Sequence, residues 1–192
     1  MTRRIRHTWQ MDVEPTDEDL VAGAQGGDAE AFRSLVARHY DRIFRVGFRV
    51  LGDREEAQDL AQDVCAALPG KLAGFRNEAR FTTWIYRVVT NAARDRLRET
   101  AVRQRAWSGW GEVETLERGA AEARTAEHAW LDEAMAALPH DLRETVALVL
   151  GEEMTHAAAA AVLGISEGSV SWRMSEVRKA LKAQAGREEV VR

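Results

Sequence analysis

The chain has 192 residues, of which 45% are hydrophobic and 30% charged, and its formal net charge is −4. This balance is typical of a globular chain, and the length suits one large domain or two small ones. The basic N-terminus has no apolar core, no apolar run of about 18 residues is present, and the single cysteine cannot form an internal disulfide. We therefore expect a cytoplasmic protein and exclude a secreted disulfide scaffold or a membrane span.

Helical spacing of apolar residues and a series of helix caps predict an all-α chain. In the first half, helices are predicted at 17–24, from 29 to 51, at 53–68 and from 81 to about 106. Thr16 or Asp17 caps the first helix, Asp28 caps the second, and Pro69 with Gly70 is expected to stop the third.

A second helical unit is predicted from residue 129 onward. Two helices separated at Pro139 are followed by an alanine-rich helix at 155–163 and a final helix that ends near residue 185. Gly164 suits a turn with positive φ, Ile165 and Val170 would fill the space between the last two helices, and Ser166 would cap the final one. This is the layout of a helix-turn-helix, in which the last helix enters the major groove, although a plain pair of antiparallel helices has the same outline.

The stretch between the two units, 107–127, lacks an apolar stripe and contains Trp107 and Trp110. We expect a flexible linker whose tryptophans dock on a partner or on one of the domains. The predicted organisation is a 1–16 extension, a domain at 17–106, the linker at 107–127, a domain at 128–186 and a tail at 187–192.

Charge is distributed unevenly along the chain. Residues 71–110 contain nine Lys and Arg against three Asp and Glu, whereas 111–153 contain eleven acidic residues against three Arg. A basic block beside acidic ones indicates one nucleic-acid face and one or more protein faces, although solvated helices with uneven charge would look the same.

The basic block coincides with a cluster of aromatic residues, in the sequence FRNEARFTTWIYRVVTNAARDRLR at 75–98. Aromatic rings stack on single-stranded bases, and Arg or Lys neutralises the phosphates. Because Trp84, Ile85 and Val88 lie at helical spacing from Phe81, a buried stripe is the competing interpretation. We assign Ile85, Val88 and Trp84 to that stripe, and favour DNA for Phe75.

Two motif blocks in this order resemble the extracytoplasmic-function (ECF) sigma factors of the sigma-70 superfamily. The runs REEAQDLAQDV and FTTWIYRVVTNAARD resemble the family's region two, and LDEAMAALPHDLRETVALVLGEEMTHAAAAAVLGISEGSVSWRMSEVRKAL resembles its region four. The resemblance covers about residues 17–185. It implies a promoter-specificity subunit that binds core RNA polymerase and promoter DNA, melts the minus-10 element, and is held inactive by an anti-sigma factor.

The resemblance also implies roles for individual residues. Core polymerase would contact Asp59, Gln62 and Asp63. The minus-10 element would contact Phe75, Arg76, Asn77, Glu78, Arg80, Phe81, Arg87, Asn91 and Arg94. The minus-35 element would contact Ser169, Ser171, Trp172, Arg173, Ser175, Glu176 and Arg178.

The recognition helix departs from the family pattern of two or more outward basic residues. Ser171, Trp172, Ser175 and Glu176 occupy the outward positions, and the basic residues are Arg173, Arg178 and Lys179. Fewer cations mean weaker attraction to phosphates, so we predict weak or unusual minus-35 recognition.

Two other classes of function compete with this interpretation. A stand-alone helix-turn-helix regulator would bind duplex DNA without polymerase, and the acidic run at 54–64 argues against it. An enzyme is disfavoured because the five histidines lack the paired spacing of metal ligands, and neither a phosphate-binding glycine loop nor a nucleophile elbow is present. We expect no catalytic residues, no metal and no cofactor.

Overall fold

The computed structural model describes residues 14–107 and 133–191, with side chains at 14–103 and 133–185. Its α-helices are α1 (Asp17–Gln25), α2 (Ala29–Leu51), α3 (Arg54–Leu72), α4 (Phe81–Trp107), α5 (His140–Val146), α6 (His156–Leu163) and α7 (Glu167–Val191). A helical stretch at 133–137 precedes α5, and a π-helical turn, Ala147–Gly151, extends it. The all-α prediction is confirmed.

The first three helices begin at side-chain caps. Thr16 and Asp19 form a reciprocal capping box, with Asp19 N donating to Thr16 Oγ1 at 3.1 Å and Thr16 N donating to Asp19 Oδ2 at 3.0 Å. Asp28 accepts from the first-turn amides of α2, and Asp53 accepts from Glu56 N at 2.9 Å in α3. These caps satisfy amides that have no partner inside the helix, which fixes where each helix starts.

The predicted end of the third helix at Pro69 is wrong, because α3 continues to Leu72 with Pro69 inside it. Proline lacks an amide donor, but its fixed φ is compatible with a helix, and the end of α3 is instead held from outside the helix. Gln25 Nε2 donates to Leu72 O and to Phe75 O, both at 2.8 Å. This side chain from α1 therefore completes the last turn of α3 and holds the start of the following loop.

The N-terminal unit is built around α2, which packs against α1, α3 and α4. α3 packs through an apolar stripe, whose residues are buried: Ala57, Leu60, Ala61, Val64 and Leu68. Gly47 lies where α2 crosses α3, and a β-carbon there would come within 2.9 Å of Leu60 Cδ2. The absence of a side chain lets the two helices approach closely.

The C-terminal unit has the predicted helix-turn-helix. Gly164 has φ of 69° at the end of α6, and Ser169 N donates to Ser166 Oγ at 3.1 Å at the start of α7. Val170, Met174 and Val177 are buried at helical spacing, so this face of α7 packs on α5 and α6. The last helix extends past its predicted end at 185, through Val191.

The π-helical turn changes which face of the chain is apolar after Val146. Leu150 follows Leu142 and Val146 at helical spacing, but it is 62% exposed whereas those two are buried. A π turn carries more residues per turn than an α-helix, so a position four residues after Val146 is rotated away from the core.

The two helical units share a continuous core rather than standing apart. α4 contacts α6, and α2 contacts both α5 and the π turn. Most of the predicted linker, from residue 108, lies outside the described residues, as do residues 1–13 and the beginning of the second predicted domain at 128–132. Among the helices that the structure describes, none has the length and apolar character needed to cross a membrane.

Candidate nucleic-acid interface

A loop at 73–80 connects α3 to α4 and borders a cavity of about 350 Å³. Asn77 has φ of 56°, a left-handed conformation that asparagine tolerates better than most residues. The cavity is lined by Gly74, Phe75, Arg76, Glu78, Ala79, Trp84 and Arg87. It combines charged groups, an indole and backbone in a space within the usual range for small-ligand sites.

The structure corrects the expectation that Phe75 or Phe81 stacks on a base. Phe75 is 6% exposed and Phe81 is 2% exposed, and their ring centroids lie 6.0 Å apart in an edge-to-face arrangement. The Trp84 ring packs on both, at 5.0 Å and 5.6 Å. Trp84 is half-buried and lines the cavity, so its ring is more exposed there than that of Phe75, which also lines it.

The other loop residues predicted to contact the minus-10 element lie at the surface. Arg76, Asn77, Glu78 and Arg80 are all exposed. Arg76 and Glu78 border the cavity itself, which gives it one cation and one carboxylate at its rim. A guanidinium and a carboxylate supply the donors and acceptors that base edges recognise.

On α4, Arg87, Asn91 and Arg94 follow one another at helical spacing. Asn91 is exposed, and its side-chain oxygen accepts from Arg94 Nη1 at 3.2 Å. Arg94 and Arg87 also reach the C-terminal unit, where Arg94 binds both carboxylate oxygens of Glu144 and Arg87 donates to Ala161 O. Hydrogen bonding to Glu144 raises the pKa of Arg94 further above its ordinary value.

The residues predicted to contact polymerase lie together on the outer face of α3. Asp59, Gln62 and Asp63 are exposed. Asp63 accepts from Arg96 Nη2 at 2.5 Å, and Arg96 also binds Glu56 at 2.8 Å, so α4 fixes part of this acidic face. A groove of about 740 Å³ runs beside it between α3 and α4.

The exposed face of α7 is polar and weakly charged. Ser171, Trp172 and Arg178 are exposed, with Trp172 at 61%, and Ser169, Ser175 and Glu176 are half-buried. Ser171 Oγ lies 2.9 Å from His156 Nδ1, and Glu176 accepts from Lys179 Nζ at 2.7 Å.

Arg173 is a correction to the predicted minus-35 set. Its Nε lies 3.5 Å from Asp141 Oδ2, its side chain is 17% exposed, and it points at α5 inside the unit. The outward cations of this helix are therefore fewer than its sequence suggests. Among the described residues, no group of three or more His, Cys, Asp or Glu side chains is placed to hold a metal ion.

Comparison with known proteins identifies both units. The family model for Sigma-70 region 2 matches residues 35–103, and that for Sigma-70, region 4 matches residues 128–181. The ECF RNA polymerase sigma factor SigM of Mycobacterium tuberculosis is 30% identical over 173 residues, covering 90% of this chain and 86% of SigM.

Two solved structures have a similar fold. CnrH, in complex with the cytosolic domain of CnrY, is 28% identical with a TM-score of 0.65, covering 88% of this chain and 97% of CnrH. The sigma factor RpoE of Bartonella quintana, in complex with the anti-sigma factor NepR, has a TM-score of 0.70 at 18% identity, covering 82% of this chain and 98% of RpoE. Because regions 2 and 4 occur in order and an ECF relative aligns across most of its length, this chain belongs to the ECF RNA polymerase sigma factors of the sigma-70 family.

Proposed function

We propose that this alternative sigma factor captures a flipped minus-10 base in the cavity beside the 73–80 loop. The observation that carries the proposal is the half-buried Trp84 indole, which borders a cavity of about 350 Å³ together with Arg76 and Glu78. Extruding a base costs a few kcal/mol of stacking, so a protein surface has to replace the lost contacts. The indole replaces stacking, and the charged rim offers hydrogen bonds to the base edge.

We further propose that Arg87, Asn91 and Arg94 hold the backbone and upstream edge of the same element. They project from one rigid helix directly after the cavity, so bases and phosphates would be met in register. Asn77 and Arg80 are exposed on the loop that precedes α4, and we expect them to contact the same DNA strand. Phosphate contacts position the strand, and the cavity supplies the sequence preference.

The polymerase contact is assigned to Asp59, Gln62 and Asp63. Their exposure on a straight helix, with Asp63 braced by Arg96, supports a rigid acidic surface for a basic element of the polymerase. Charge complementarity of this kind sets register and accelerates association.

The minus-35 contact is assigned to the exposed part of α7, through Ser169, Ser171, Trp172, Ser175, Glu176 and Arg178. Hydroxyl groups and a carboxylate can read base edges, but Arg178 and Lys179 supply little positive charge. We therefore expect the minus-10 element to carry most of the promoter selectivity. The domain boundaries at 17–106 and 128–186 fit this division of roles.

An anti-sigma factor is the proposed regulator. CnrH and RpoE were each solved with a bound protein, and for RpoE that protein is an anti-sigma factor. The acidic face of α3 and the groove beside it are the surfaces that such a partner would have to cover to keep polymerase away. If native protein co-purified with polymerase and with no small inhibitor, this part of the proposal would be contradicted.

The protein is proposed to act in the bacterial cytoplasm, with the polymerase supplying all of the chemistry. Its family consists of transcription initiation factors. A stand-alone helix-turn-helix regulator is not favoured, because region 2 would then have no partner to bind.

Transcription in vitro tests the proposal. Purified core polymerase and this chain should initiate from specific start sites on a genomic library, and core polymerase alone should not. Trp84→Ala and Asn91→Ala should each lower initiation at those sites about tenfold, the scale of about 1–3 kcal/mol for a base contact.

Matched variants separate DNA contacts from general effects. Arg98→Ala removes an exposed cation from α4 that is paired only locally with Asp95, and it should leave initiation unchanged. Asp59→Asn with Gln62→Ala should weaken polymerase binding, whereas Glu55→Gln on the same helix should not. Initiation that survives both Trp84→Ala and Asn91→Ala would refute the assignment of this site.

A further inference from the structure

Glu144 of the C-terminal unit forms a buried ion pair with Arg94 of the N-terminal unit. Glu144 is 1% exposed, and its two oxygens accept from Arg94 Nε and Nη2, each at 2.7 Å. A two-point pair of this geometry is the strongest type of side-chain ion pair. Burying one partner without the other is strongly unfavourable, so the contact between the units tolerates Glu144 only when Arg94 is paired with it.

A second buried carboxylate, Glu152, directly follows the π turn and also contacts the N-terminal unit. Its side chain is 5% exposed and accepts from Tyr86 Oη at 2.6 Å and from Arg49 Nη1 at 2.9 Å, with Arg45 Nε at 3.5 Å. Burial and the adjacent carboxylate raise the pKa of Tyr86 above its ordinary value, so the phenol remains a donor. Two carboxylates therefore dock into one basic surface formed by α2 and α4.

The backbone conformation after α5 places Glu152 against α2 and α4. The π-helical turn is followed by Glu153 at φ of 53°, and Met154 N returns to Leu148 O at 3.1 Å. Gly151 lies under Arg49, where a β-carbon would clash with the guanidinium and come within 2.9 Å of Cδ. π turns and left-handed residues concentrate at functional positions because they cost conformational energy.

The contacts between the two units involve side chains that the proposed function assigns to the minus-10 DNA. Arg94 has two of its donors on Glu144, and Arg87 donates to Ala161 O at 2.5 Å. A guanidinium bound in this way cannot present the same donors to a phosphate. The arrangement in which the units touch and the arrangement in which Arg87 and Arg94 hold DNA are therefore mutually exclusive.

We propose that this closed form is an autoinhibited state of the free protein, in which Glu144 takes the place of a DNA phosphate on Arg94 and Glu152 holds the units together through Tyr86 and Arg49. The inference rests on the proposed role of Arg87 and Arg94 in DNA binding. The continuous apolar contact between α4 and α6 holds the two carboxylates in position. Binding to DNA requires the units to separate.

Single-molecule energy transfer on the full chain tests closure without DNA. Dyes are attached through Ala37→Cys on α2 and Lys182→Cys on α7, both exposed, in a Cys65→Ala background. The labelled protein without further substitutions, the parent, should show one population of high energy transfer. Adding Glu144→Gln with Glu152→Gln should shift most molecules to lower energy transfer. Glu153→Gln removes one carboxylate at an exposed neighbouring position and should leave the distribution unchanged. A parent that is already open, or a double variant that remains closed, overturns the proposal.

Inhibition of DNA binding is tested with a fluorescent single-stranded oligonucleotide. It carries the non-template minus-10 sequence, which is mapped from the transcription start sites. The double variant should bind about tenfold more tightly than the parent, since apparent affinity scales with the fraction of molecules in the competent form. Equal affinity of the parent and an open double variant overturns inhibition.

The parent supplies a measurement that needs no variant and so no assumption about folding. Saturating oligonucleotide should lower its energy transfer, and binding with unchanged transfer overturns mutual exclusion. Absence of binding by every protein, including the open variant, would contradict the DNA role of Arg87 and Arg94 instead, and closure is then decided by the transfer efficiencies alone.

Discussion

At the scale of single residues, burial separates side chains that the sequence presents as equivalent. Phe75, Phe81 and Trp84 are all aromatic residues in a basic segment, yet Phe75 and Phe81 are buried and Trp84 is half-buried. Arg173 and Arg178 are both basic residues of the last helix, yet Arg173 turns toward Asp141 and Arg178 is exposed. Function at this scale follows from where the side chain points, which depends on the neighbouring helix.

Arg173 and Arg178 should therefore respond differently to truncation. Arg173→Ala should lower the free energy of unfolding by about 0.5–1 kcal/mol, the range for a partly exposed ion pair, and leave promoter affinity of the holoenzyme little changed. Arg178→Ala should leave unfolding unchanged and weaken promoter binding about threefold, with a shallower salt dependence. Urea titration and fluorescence anisotropy measure the two quantities. The reverse pattern would return Arg173 to the DNA face.

At the scale of elements, the helix ends decide how the cavity is built. The 73–80 loop begins where it does because α3 passes Pro69 and ends at Leu72, and Gln25 from α1 binds the carbonyls on either side of that end. The position of the 73–80 loop, which we propose binds DNA, thus depends on a side chain about 50 residues earlier in the chain.

Loss of this cap should be measurable in both stability and function. Gln25→Ala removes two hydrogen bonds to terminal carbonyls and should cost about 1–2 kcal/mol of unfolding free energy. It should also reduce initiation, because the loop that carries Arg76 and Glu78 loses its anchor. Gln58→Ala, an exposed glutamine on α3, is the matched control for urea titration and in vitro transcription. Equal stability of the two variants would show that Gln25 does not anchor the loop.

At the scale of the whole molecule, the two units behave as one body in this structure. Buried residues from α2 and α4 continue into those of α5 and α6 as a single apolar cluster, and the ion pairs of Glu144 and Glu152 lie at the junction. Units that share a core unfold together when the shared contacts contribute substantially to both.

Calorimetry should accordingly show one cooperative unfolding transition for the full chain. Glu144→Gln with Glu152→Gln should split it into two transitions or broaden it, because each unit then unfolds with its own midpoint. Glu153→Gln should retain the single transition. Two well-separated transitions in the unmodified protein would mean that the shared core contributes little to stability.

The sequence by itself determined the helices, their caps, the helix-turn-helix and, through two motif blocks, the family. These features depend on residues within a few positions of one another: Thr16 with Asp19, Ser166 with Ser169, and the spacing of Val170, Met174 and Val177. The π turn after Val146 and the continuation of α3 through Pro69 are also local features, but they were not predicted, because contacts with other elements stabilise them.

Only the tertiary structure decided which polar groups are exposed and which bind other parts of the protein. Arg94 and Glu144 lie 50 residues apart, and Tyr86 and Glu152 lie 66 apart. Neither pair has a signature in the local pattern, since an ion pair is specified by the position of both helices in space. The aromatic and basic segment at 75–98 predicted a DNA interface, and the packing of α4 against the second unit shows that Arg87 and Arg94 of this segment are bound within the protein.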